Sequence, residues 1–557
     1  MTPFDLAELL FPDVTTTPEE VEARFPLRSL PEGAKVTRVA PSPTGFVHFG
    51  TLFPAFVSER LAHQSGGVFY LRIEDTDSLR YVPGAEQDLI DTLSYYGIHF
   101  DEGPNAQGEN GAYGPYWQSK RRDIYHVFAK QLVREGKAYP YFPTDAEMSA
   151  LKQVNKKEEN KTKDWAAEAE AAKAAQEARR TAWIDTAEAA MAASRPFVLY
   201  IRADGDGEKK VFFTDLIKGK LEFPENDEDF VLLKSDGIPT YHFAHAVDDH
   251  LMRTTTVVRG EEWLPSLPKH LQLFRYLGFK PLKYLHIAQL MRMEGNSKKK
   301  LSKRDRGAAL ADYKAMGYPR LSVIEYVFTL LNSNYEEWRR GNGDKSWEEF
   351  PFSVKKMSVS GALFDFDKLN DVSKNVISRM TAEEVYDGVL AWAKEYDGEF
   401  AALLSAQPET AKAAFAIGRG GNKPRKDLTV WADAKEYMGF FFDSLYRIQD
   451  PYPDTFQKSD IRAALEAFMA SYDPSDDQQT WFDKVKEIAA ALGFAPDMKM
   501  YKASPEEYKG HIGDVSMFLR VAVTGKMNAP DLYAVMQILG RDITFARLQH
   551  TIQTILS

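Results

Sequence analysis

His48 follows a loop whose composition is typical of a phosphate-binding site. An apolar, β-prone run over 36–40 leads into the proline- and glycine-rich stretch 41–45, then into His48-Phe49-Gly50 and an apolar helical pattern. A strand, a tight loop and a helix N-terminus in this order present free backbone N–H groups that can hold phosphates. The prolines and glycines alone would also fit an ordinary turn, but the whole string between strand and helix predicts nucleotide binding.

A cluster of cations lies far downstream of this loop. Six of the nine residues from Lys298 to Arg306 are lysine or arginine, and they include the string Lys300-Leu301-Ser302-Lys303-Arg304. A run of like charges is usually a solvated face. Phosphoryl transfer, however, needs mobile cations that follow negative charge onto the leaving pyrophosphate. Together with the His48 loop, the cluster predicts a second part of one catalytic site.

Carboxylates and imidazoles are grouped at two further places. In Arg72-Ile73-Glu74-Asp75-Thr76-Asp77, three carboxylates follow an apolar run, and they could bind a metal ion or cap the next helix. In the segment 240–250, an H-x-x-H pattern precedes Asp-Asp-His, which offers several possible zinc ligands. Residue types alone leave these interpretations open.

These motifs together resemble the glutamyl-tRNA synthetases, a family of class I aminoacyl-tRNA synthetases. The loop is similar to the family's HIGH signature, the cationic string to its KMSKS loop and the acidic turn to its RIEDTD element. The resemblance is strong over 36–310 and holds in outline for the rest of the chain. Its segments in this sequence are 38–51, 72–77, 240–250, 257–263 and 300–304.

The resemblance implies a role for individual residues. His48, Lys300 and Lys303 would be catalytic, with His48 as a donor beside the α-phosphate of ATP and the lysines on the leaving pyrophosphate. ATP would contact Gly45, His48, Gly50, Leu290, Met291 and Lys303. Glutamate would contact Arg38, Ala40, Ser42, Glu74, Tyr241 and Arg259. Asp77 would lie near the 3′ end of tRNA.

The charges of glutamate fit three of these residues. Glutamate has two carboxylates and one ammonium group. Arg38 and Arg259 complement the carboxylates, and Glu74 complements the ammonium group, since a guanidinium suits bidentate recognition of a carboxylate.

Three positions refine the comparison with the family. Thr51 stands where many members have a second histidine, as is common in the glutamyl branch, and Leu301 replaces a methionine of the KMSKS loop. His245 departs from the family pattern and could alter the pocket. Some relatives bind zinc through cysteines in the insertion, but this chain has no cysteine. We therefore expect ATP with Mg²⁺ and no zinc or other protein-bound metal.

Hydrophobic periodicity predicts an α/β fold with a doubly wound, Rossmann-like catalytic domain. Helices are predicted over 52–64, 83–96 and 120–135, a strand over 68–73, and further strands over 197–202, 210–214 and 230–234. Beyond about residue 375 the pattern is helical, for example over 461–469 and 481–492. The predicted domains are an N-terminal helical extension (1–34), two catalytic halves (35–136 and 236–310), an α+β insertion between them (137–235), a domain over 311–375 and an all-helical domain (376–557). The resemblance to the family implies that the insertion binds the acceptor stem, that 311–375 contacts the stem and that 376–557 binds the anticodon.

Composition excludes few functions. The chain has 557 residues and a net charge of −11, which neither indicates nor excludes nucleic-acid binding. No apolar run approaches the roughly 18 residues of a membrane span, and the first residues do not resemble a signal peptide. Together with the resemblance to the family, this implies a cytoplasmic, monomeric enzyme without membrane contact, whose partners are tRNA(Glu), L-glutamate and ATP.

Three alternatives remain at this stage. The chain could be a glutaminyl-tRNA synthetase, which the PSPTG and EDTD strings disfavour. It could be a truncated relative that glutamylates a modified tRNA base, which the long helical region beyond 375 disfavours. It could also be a catalytically inactive tRNA-binding paralogue, which the presence of His48, Lys303, Arg38 and Arg259 disfavours.

Overall fold

The chain forms two compact units. The computed structural model describes residues 1–43, 45, 47–77, 80–144, 147, 165–301, 309–421 and 423–554. One unit contains Met1–Leu310 and Val327–Phe364, and the other contains Ala311–Tyr326 and Asp365–Ser557. Within the described ranges, no helix combines the length and the apolar character needed to cross a membrane.

The strands that the structure describes all precede residue 311, where the second unit begins. They are β1 (Val36–Val39), β2 (Val68–Leu71), β3 (Gly103–Asn105), β4 (Gly108–Asn110), β5 (Ala138–Tyr141), β6 (Val198–Ile201), β7 (Lys210–Asp215), β8 (Gly219–Pro224), β9 (Val231–Leu233), β10 (Thr256–Gly260), β11 (Lys283–Ile287), β12 (Met291–Glu294) and β13 (Ser297–Lys300). The helices between or before them are α1 (Pro3–Leu10), α2 (Pro18–Arg24), α3 (Phe49–His63), α4 (Ala85–Tyr95), α5 (Arg122–Arg134), α6 (Trp165–Thr181), α7 (Ala187–Ala192), α8 (Tyr241–Leu251) and α9 (Leu267–Leu277).

Helices make up nearly all regular structure after the strands. They are α10 (Leu310–Met316), α11 (Arg320–Leu331), α12 (Tyr335–Gly341), α13 (Phe366–Arg379), α14 (Ala382–Tyr396), α15 (Gly398–Ala406), α16 (Pro408–Ala416), α17 (Asp433–Met438), α18 (Lys458–Ser471), α19 (Gln478–Ala491), α20 (Met498–Ala503), α21 (Ile512–Thr524) and α22 (Leu532–Thr554), the last interrupted at Gly540.

Four parallel strands form the centre of the first unit. β1 pairs with β2, and β10 pairs with β11. β1 lies beside β10, where the Thr255 N–H donates to the Val36 carbonyl at 2.9 Å. The order across the sheet is therefore β2, β1, β10, β11, with α3 and α9 as the crossover helices. Such a doubly wound sheet offers a ligand crevice at the carboxyl ends of its two central strands.

The sequence predicted this part of the fold with small shifts in bounds. β1 is buried along its whole length, as its apolar run indicated. α3 begins at Phe49, three residues before the predicted start, since His48 is its N-cap. The predicted strand over 68–73 ends at Leu71. The predicted α/β fold with a helical C-terminal region is confirmed.

The segment between β5 and β9 carries two small sheets. β5, β6 and β9 form an antiparallel sheet, and β7 and β8 form a hairpin. The strands predicted over 197–202, 210–214 and 230–234 are present as β6, β7 and β9, but the sequence did not predict β5 and β8. Most of the charged stretch 145–164 lies outside the described residues.

The first 34 residues pack on the helix α5. Capping boxes at Thr2 and Thr17 start α1 and α2. The buried Lys130 ammonium of α5 donates to Glu8 at 2.8 Å and to the carbonyls of Phe11 and Val14 at 3.0 and 2.8 Å. The predicted helical extension is therefore bonded to the α/β unit through the backbone between α1 and α2.

The helical unit has its own core. Side chains from α13 to α22 form one continuous buried cluster, which includes Phe400, Leu465, Val485 and Phe518. Several of its helices begin at aspartate or threonine N-caps whose side chains accept backbone N–H groups, as at Asp365, Thr381 and Asp477. These caps satisfy backbone N–H groups at the first turns of the helices that they start.

Candidate active site

A cavity of about 750 Å³ lies at the carboxyl ends of β1 and β10. This volume is typical of small-molecule sites, and the position is the one that a doubly wound sheet predicts. Of the residues proposed from the sequence, those that line the cavity are Arg38, Ala40, Ser42, Gly45, His48, Gly50, Glu74, Tyr241, Arg259, Leu290 and Lys300.

Local backbone geometry explains the glycines of the loop. Gly45 has φ +136°, a conformation that favours glycine. A Cβ on Gly50 would lie 3.1 Å from His48 Nδ1. Gly50 therefore leaves room for the His48 ring at the start of α3, and both residues line the cavity.

Arg38 is buried and forms an ion pair with the carboxylate of Asp249. Its Nε lies 3.2 Å from Asp249 Oδ1, and its Nη2 lies 3.3 Å from Asp249 Oδ2. Burial opposes ionisation of Asp249, but Arg38 and Arg72 hold the pKa of this carboxyl well below its ordinary value. The Arg38 guanidinium is therefore oriented by a fixed anion at the base of the cavity.

Glu74 belongs to the same network of charges. Arg72 bridges the two carboxylates, because its Nη1 donates to Asp249 at 2.8 Å and its Nη2 donates to Glu74 at 3.0 Å. Burial raises the pKa of Glu74, and the neighbouring Arg72 and Arg38 oppose that rise. The network thus places an acceptor in the cavity wall that can bind an ammonium group.

Arg259 differs from Arg38 in its partners. It is 6% exposed, and its guanidinium donates to His286 Nε2 at 2.9 Å, His270 Nδ1 at 3.2 Å, Tyr241 Oη at 3.3 Å and the Trp263 carbonyl at 3.4 Å. Burial lowers the pKa of both histidines, so these partners are neutral. Among the described residues no carboxylate forms an ion pair with Arg259. A buried cation of this kind is a strong site for an anionic ligand group.

His245 lies behind the cavity wall. It is fully buried, its ring stacks against Tyr241 at 5.8 Å between centroids, and its Nε2 lies 2.7 Å from Tyr284 Oη. Burial lowers its pKa to about 4. This departure from the family pattern therefore places a neutral imidazole against the back of Tyr241.

The acidic turn does not cap the helix that follows it. The N-cap of α4 is Gly84, which makes no side-chain hydrogen bond. Glu74 instead pairs with Arg72, Asp75 accepts from the Ser119 N–H at 2.8 Å, and Asp77 accepts from Arg80 at 2.6 Å. The capping interpretation is wrong, because each carboxylate has another partner.

Metal ligands are not grouped in the part of the chain that the structure describes. No set of three or more His, Cys, Asp or Glu side chains is arranged to hold a metal ion within those residues. In the segment 240–250, His242 Nδ1 lies 3.0 Å from His270 Nε2. The two aspartates there accept from arginines, Asp248 from Arg121 at 2.7 Å and Asp249 from Arg72 at 2.8 Å.

The cationic segment is described only in part. Lys300 ends β13 and lines the cavity, but Lys303 lies outside the described residues. Leu290 lines the cavity, whereas the Met291 N–H donates to Ala362 and its carbonyl accepts from Phe364. The backbone of Met291 is thus engaged in hydrogen bonds, and Asp77, which pairs with Arg80, is not part of the cavity wall.

The sequence did not predict the residues that support the pocket. Asp248 and Asp249 suggested only metal ligands, and Arg72 had no role. Asp215 and His286 gave no signal at all, since a lone histidine in the apolar run of β11 is ordinary. The available indication of an internal ion network was a charged residue within the buried strand β1, Arg38, and another directly after β2, Arg72.

Two protein families match the chain. The family described as "tRNA synthetases class I (E and Q), catalytic domain" matches residues 35–371. The family described as "Anticodon binding domain" matches residues 423–552. The first match spans both halves of the parallel sheet and every described residue of the cavity, and the second lies within the helical unit.

Relatives that match nearly the whole chain show which branch of the synthetase family it resembles. The chain is 47% identical to the glutamate–tRNA ligase of Clostridium perfringens strain 13, over 98% of this chain and 99% of the relative. It is 46% identical to that of Acetivibrio thermocellus, over 98% of both chains. The crystal structure of a glutamate–tRNA synthetase from Elizabethkingia anophelis aligns with a TM-score of 0.69 at 27% identity, covering 94% of this chain and 100% of that one.

The parallel sheet, the cavity at its switch point and the first family match define a class I aminoacyl-tRNA synthetase. Within that class, the chain belongs to the glutamate–tRNA ligases. The relatives named here are glutamate–tRNA ligases, which favours that activity over the glutaminyl alternative, and the anticodon-binding match covers the helical region that the truncated relative would lack.

Proposed function

We propose that this chain activates L-glutamate with ATP and transfers the activated glutamate to the 3′-terminal ribose of tRNA(Glu). The observation that carries the proposal is the single cavity shared by His48, Glu74 and the two arginines Arg38 and Arg259. A nucleotide loop and a set of groups complementary to glutamate therefore face the same space.

Glutamate binds through its three charges. The Glu74 carboxylate accepts the ammonium group, and the two guanidinium groups of Arg38 and Arg259 take the two carboxylates. Arg259 contributes most, because its partners are neutral and a bound carboxylate supplies its missing counter-charge. Tyr241 packs between Trp263 and His245 and shapes the side of this pocket, and Ala40 and Ser42 complete it.

Activation is an in-line displacement at the α-phosphorus of ATP, which enters as its magnesium complex. The α-carboxylate of glutamate forms a bond to this phosphorus while the bond to pyrophosphate breaks. His48 donates to the α-phosphate oxygens as they gain charge. Lys300 and Lys303 follow the charge onto the leaving pyrophosphate. Gly45, Gly50, Leu290 and Met291 form the rest of the ATP site, and the enzyme uses no zinc.

Transfer to tRNA completes the reaction. A hydroxyl of the terminal ribose attacks the carbonyl carbon of glutamyl-adenylate, and AMP leaves. Asp77 lies near the tRNA 3′ end. The segment 137–235 binds the acceptor stem, 311–375 contacts the stem, and 376–557 reads the anticodon. The protein works as a cytoplasmic monomer without membrane contact.

The test is glutamate-dependent ATP–pyrophosphate exchange in the presence of tRNA. In the Arg259→Gln variant the KM for glutamate should rise about 10- to 100-fold, as for loss of a hydrogen-bonded charge, while the KM for ATP stays within about twofold. Arg275→Gln is the matched control, because Arg275 is a largely exposed arginine on α9 that pairs with Asp204. Equal glutamate KM values in the two variants would contradict the proposed site.

A further inference from the structure

Arg259 is held from behind by a chain of buried groups. Its Nε donates to His286 Nε2 at 2.9 Å, and His286 Nδ1 lies 2.7 Å from Asp215 Oδ2. His286 has no exposed surface, and Asp215 is 2% exposed. Neither residue lines the cavity. The three side chains thus form a line from the insertion hairpin to the substrate pocket.

The partners of His286 determine which of its ring nitrogens carries the proton. An ionised carboxylate can only accept, so the His286 proton is on Nδ1, and the Nε2 lone pair faces the Arg259 Nε–H. Burial lowers the pKa of His286, the hydrogen bond to Asp215 acts against this, and the charge of Arg259 acts with burial, so that the pKa lies below its ordinary value. The opposite tautomer would place an N–H group against the guanidinium N–H. Asp215 therefore determines whether His286 accepts from Arg259 or repels it.

Asp215 itself is fixed by its full set of hydrogen bonds. Its Oδ1 accepts from the backbone N–H groups of Ile217 and Lys218 at 2.9 and 2.8 Å. Its Oδ2, which faces the His286 ring, also accepts from the backbone N–H of His286 at 3.1 Å. Burial alone would raise the pKa of Asp215, but the bonds from His286 and from the Lys218 and Ile217 N–H groups lower it overall. Every donor around this carboxylate needs an acceptor, so an amide cannot replace it without a conflict.

The hairpin that carries Asp215 is tied to the parallel sheet. β7 ends at Asp215, and the next residue, Leu216, donates its N–H to the Tyr284 carbonyl in β11 at 2.9 Å. His286 lies two residues further along β11. The position of the carboxylate relative to His286 is thus set by backbone bonds on both sides.

We propose that Asp215 and His286 are positioning residues for glutamate binding. They hold the Arg259 guanidinium by its Nε edge, so that its Nη2 group, whose partner within the described residues is the Trp263 carbonyl at 3.4 Å, is presented to a substrate carboxylate. The inference rests on the proposed carboxylate-binding role of Arg259. It adds that the orientation of Arg259, and not its charge alone, is built by these two residues.

A pair of variants at position 286 separates positioning from support of the fold. In His286→Gln the side-chain oxygen can replace Nε2 as an acceptor, whereas His286→Leu removes the acceptor and leaves a similar volume. In pyrophosphate exchange with tRNA, the KM for glutamate should rise about 10- to 100-fold in His286→Leu and by less than about threefold in His286→Gln. The KM for ATP should stay within about twofold in both. Equal glutamate KM values in these two variants would overturn the proposal.

Asp215→Asn tests the tautomer directly. The asparagine amide keeps the size of the side chain but can present an NH₂ donor to His286 Nδ1. Nδ1 would then accept, the ring proton would lie on Nε2, and this N–H would face the guanidinium of Arg259. The expected result is a rise in glutamate KM of about tenfold or more, with the thermal unfolding midpoint as a check of folding. A glutamate KM within twofold of wild type in a folded protein would contradict the role of Asp215.

A double-mutant cycle distinguishes this proposal from the proposed function. If His286 acts through Arg259, His286→Leu should change the glutamate KM little when Arg259→Gln is already present. A full, additive effect in that background would overturn the positioning role while leaving the Arg259 assignment intact. If Arg259→Gln alone left the glutamate KM unchanged, the proposed function of Arg259 would fail, and the positioning proposal with it.

Discussion

Arg259 and Arg38 show how partners decide what a buried arginine can do. Arg38 is paired with Asp249, so part of its charge is already balanced. Arg259 is surrounded by imidazoles, a phenol and a carbonyl, so a substrate carboxylate is the natural counter-charge. The residue-level expectation is that Arg259 contributes more to glutamate binding, and Arg38 more to the order of the pocket.

Substitution of Arg38 tests this difference. Arg38→Lys keeps a cation beside Asp249 but loses the two-point contact with its carboxylate. We expect a rise in glutamate KM smaller than that of Arg259→Lys, with little change in the KM for ATP. The measurement is pyrophosphate exchange with varied glutamate at saturating ATP and tRNA. A larger effect for Arg38→Lys than for Arg259→Lys would reverse the ranking.

Lys303 carries the catalytic prediction for the cationic segment. Lys303→Ala should lower the single-turnover rate of adenylate formation by about 10²-fold or more, near 3 kcal/mol of transition-state stabilisation, as for loss of one preorganised charge or donor. Glutamate binding should change little. A single-turnover rate within twofold of wild type would show that the segment does not act in the chemical step.

Motif residues could be assigned from sequence, but the ion network around them could not. The loop string identified His48 and Gly50, and Arg38 followed from the same string. The sequence could not show that Asp249 orients Arg38, because the two lie 211 positions apart. Nor could it show that His286 contacts Arg259, since nothing local distinguishes that histidine from a core residue.

At the scale of elements, α3 carries a titratable contact at its C-terminal end. His63 Nδ1 lies 2.7 Å from Glu59, and its Nε2 lies 3.0 Å from Asp101. The hydrogen bond with Asp101, followed by that with Glu59, raises the pKa of His63 to about 9. The imidazolium also lies at the end of a helix where a cation is favoured.

The stability of the α/β unit should therefore depend on pH through His63. A folded-state pKa of about 9 against an ordinary 6.5 means that the contribution is fully present below pH 6.5 and is lost as the pH rises through 9. For this partly exposed side chain we expect about 1 kcal/mol. His63→Gln should be less stable than wild type at pH 6, and the gap should close by pH 10. Chemical denaturation of both proteins at pH 6 and pH 10 measures this difference in the free energy of unfolding. A difference that is the same at both pH values would contradict the proposed role of His63.

Elements with a buried face were predicted better than exposed ones. β1, α3 and the C-terminal helices were visible because their apolar residues repeat with the period of a strand or helix. The hairpin of β12 and β13 was not predicted, because β13 is Ser-Lys-Lys-Lys and has no apolar residue that would show the period of a strand. In the hairpin strand β8, half-buried and exposed residues alternate, but the sequence analysis did not predict a strand there because charged residues lie among its exposed positions.

At the scale of the whole molecule, the chain combines an α/β unit with a helical one. The compact units divide within the segment 311–375, since Val327–Phe364 belong to the first unit. The six predicted domains, with their tRNA-binding roles, stay a prediction. Limited proteolysis of the tRNA complex would test them, and protection of 137–235 and 376–557 is the expected result.

Metal content is a prediction for the entire enzyme. We expect full activity with Mg²⁺ and ATP and no stoichiometric zinc, since the chain has no cysteine and the imidazoles of 240–250 bond to other protein groups. Activity should vanish in EDTA and return with Mg²⁺ alone, because the ATP phosphates require it. Stoichiometric zinc in elemental analysis of the active protein would contradict this.

The central claim is that the pocket selects glutamate by charge. In glutamine an amide replaces the side-chain carboxylate, so an NH₂ donor would face a guanidinium that can only donate, and a buried charge would stay unbalanced. The most direct test is aminoacylation of tRNA(Glu) with saturating ATP, comparing kcat/KM for the two amino acids. We predict a preference for glutamate of at least about 10³-fold. Comparable charging with glutamine would contradict the account.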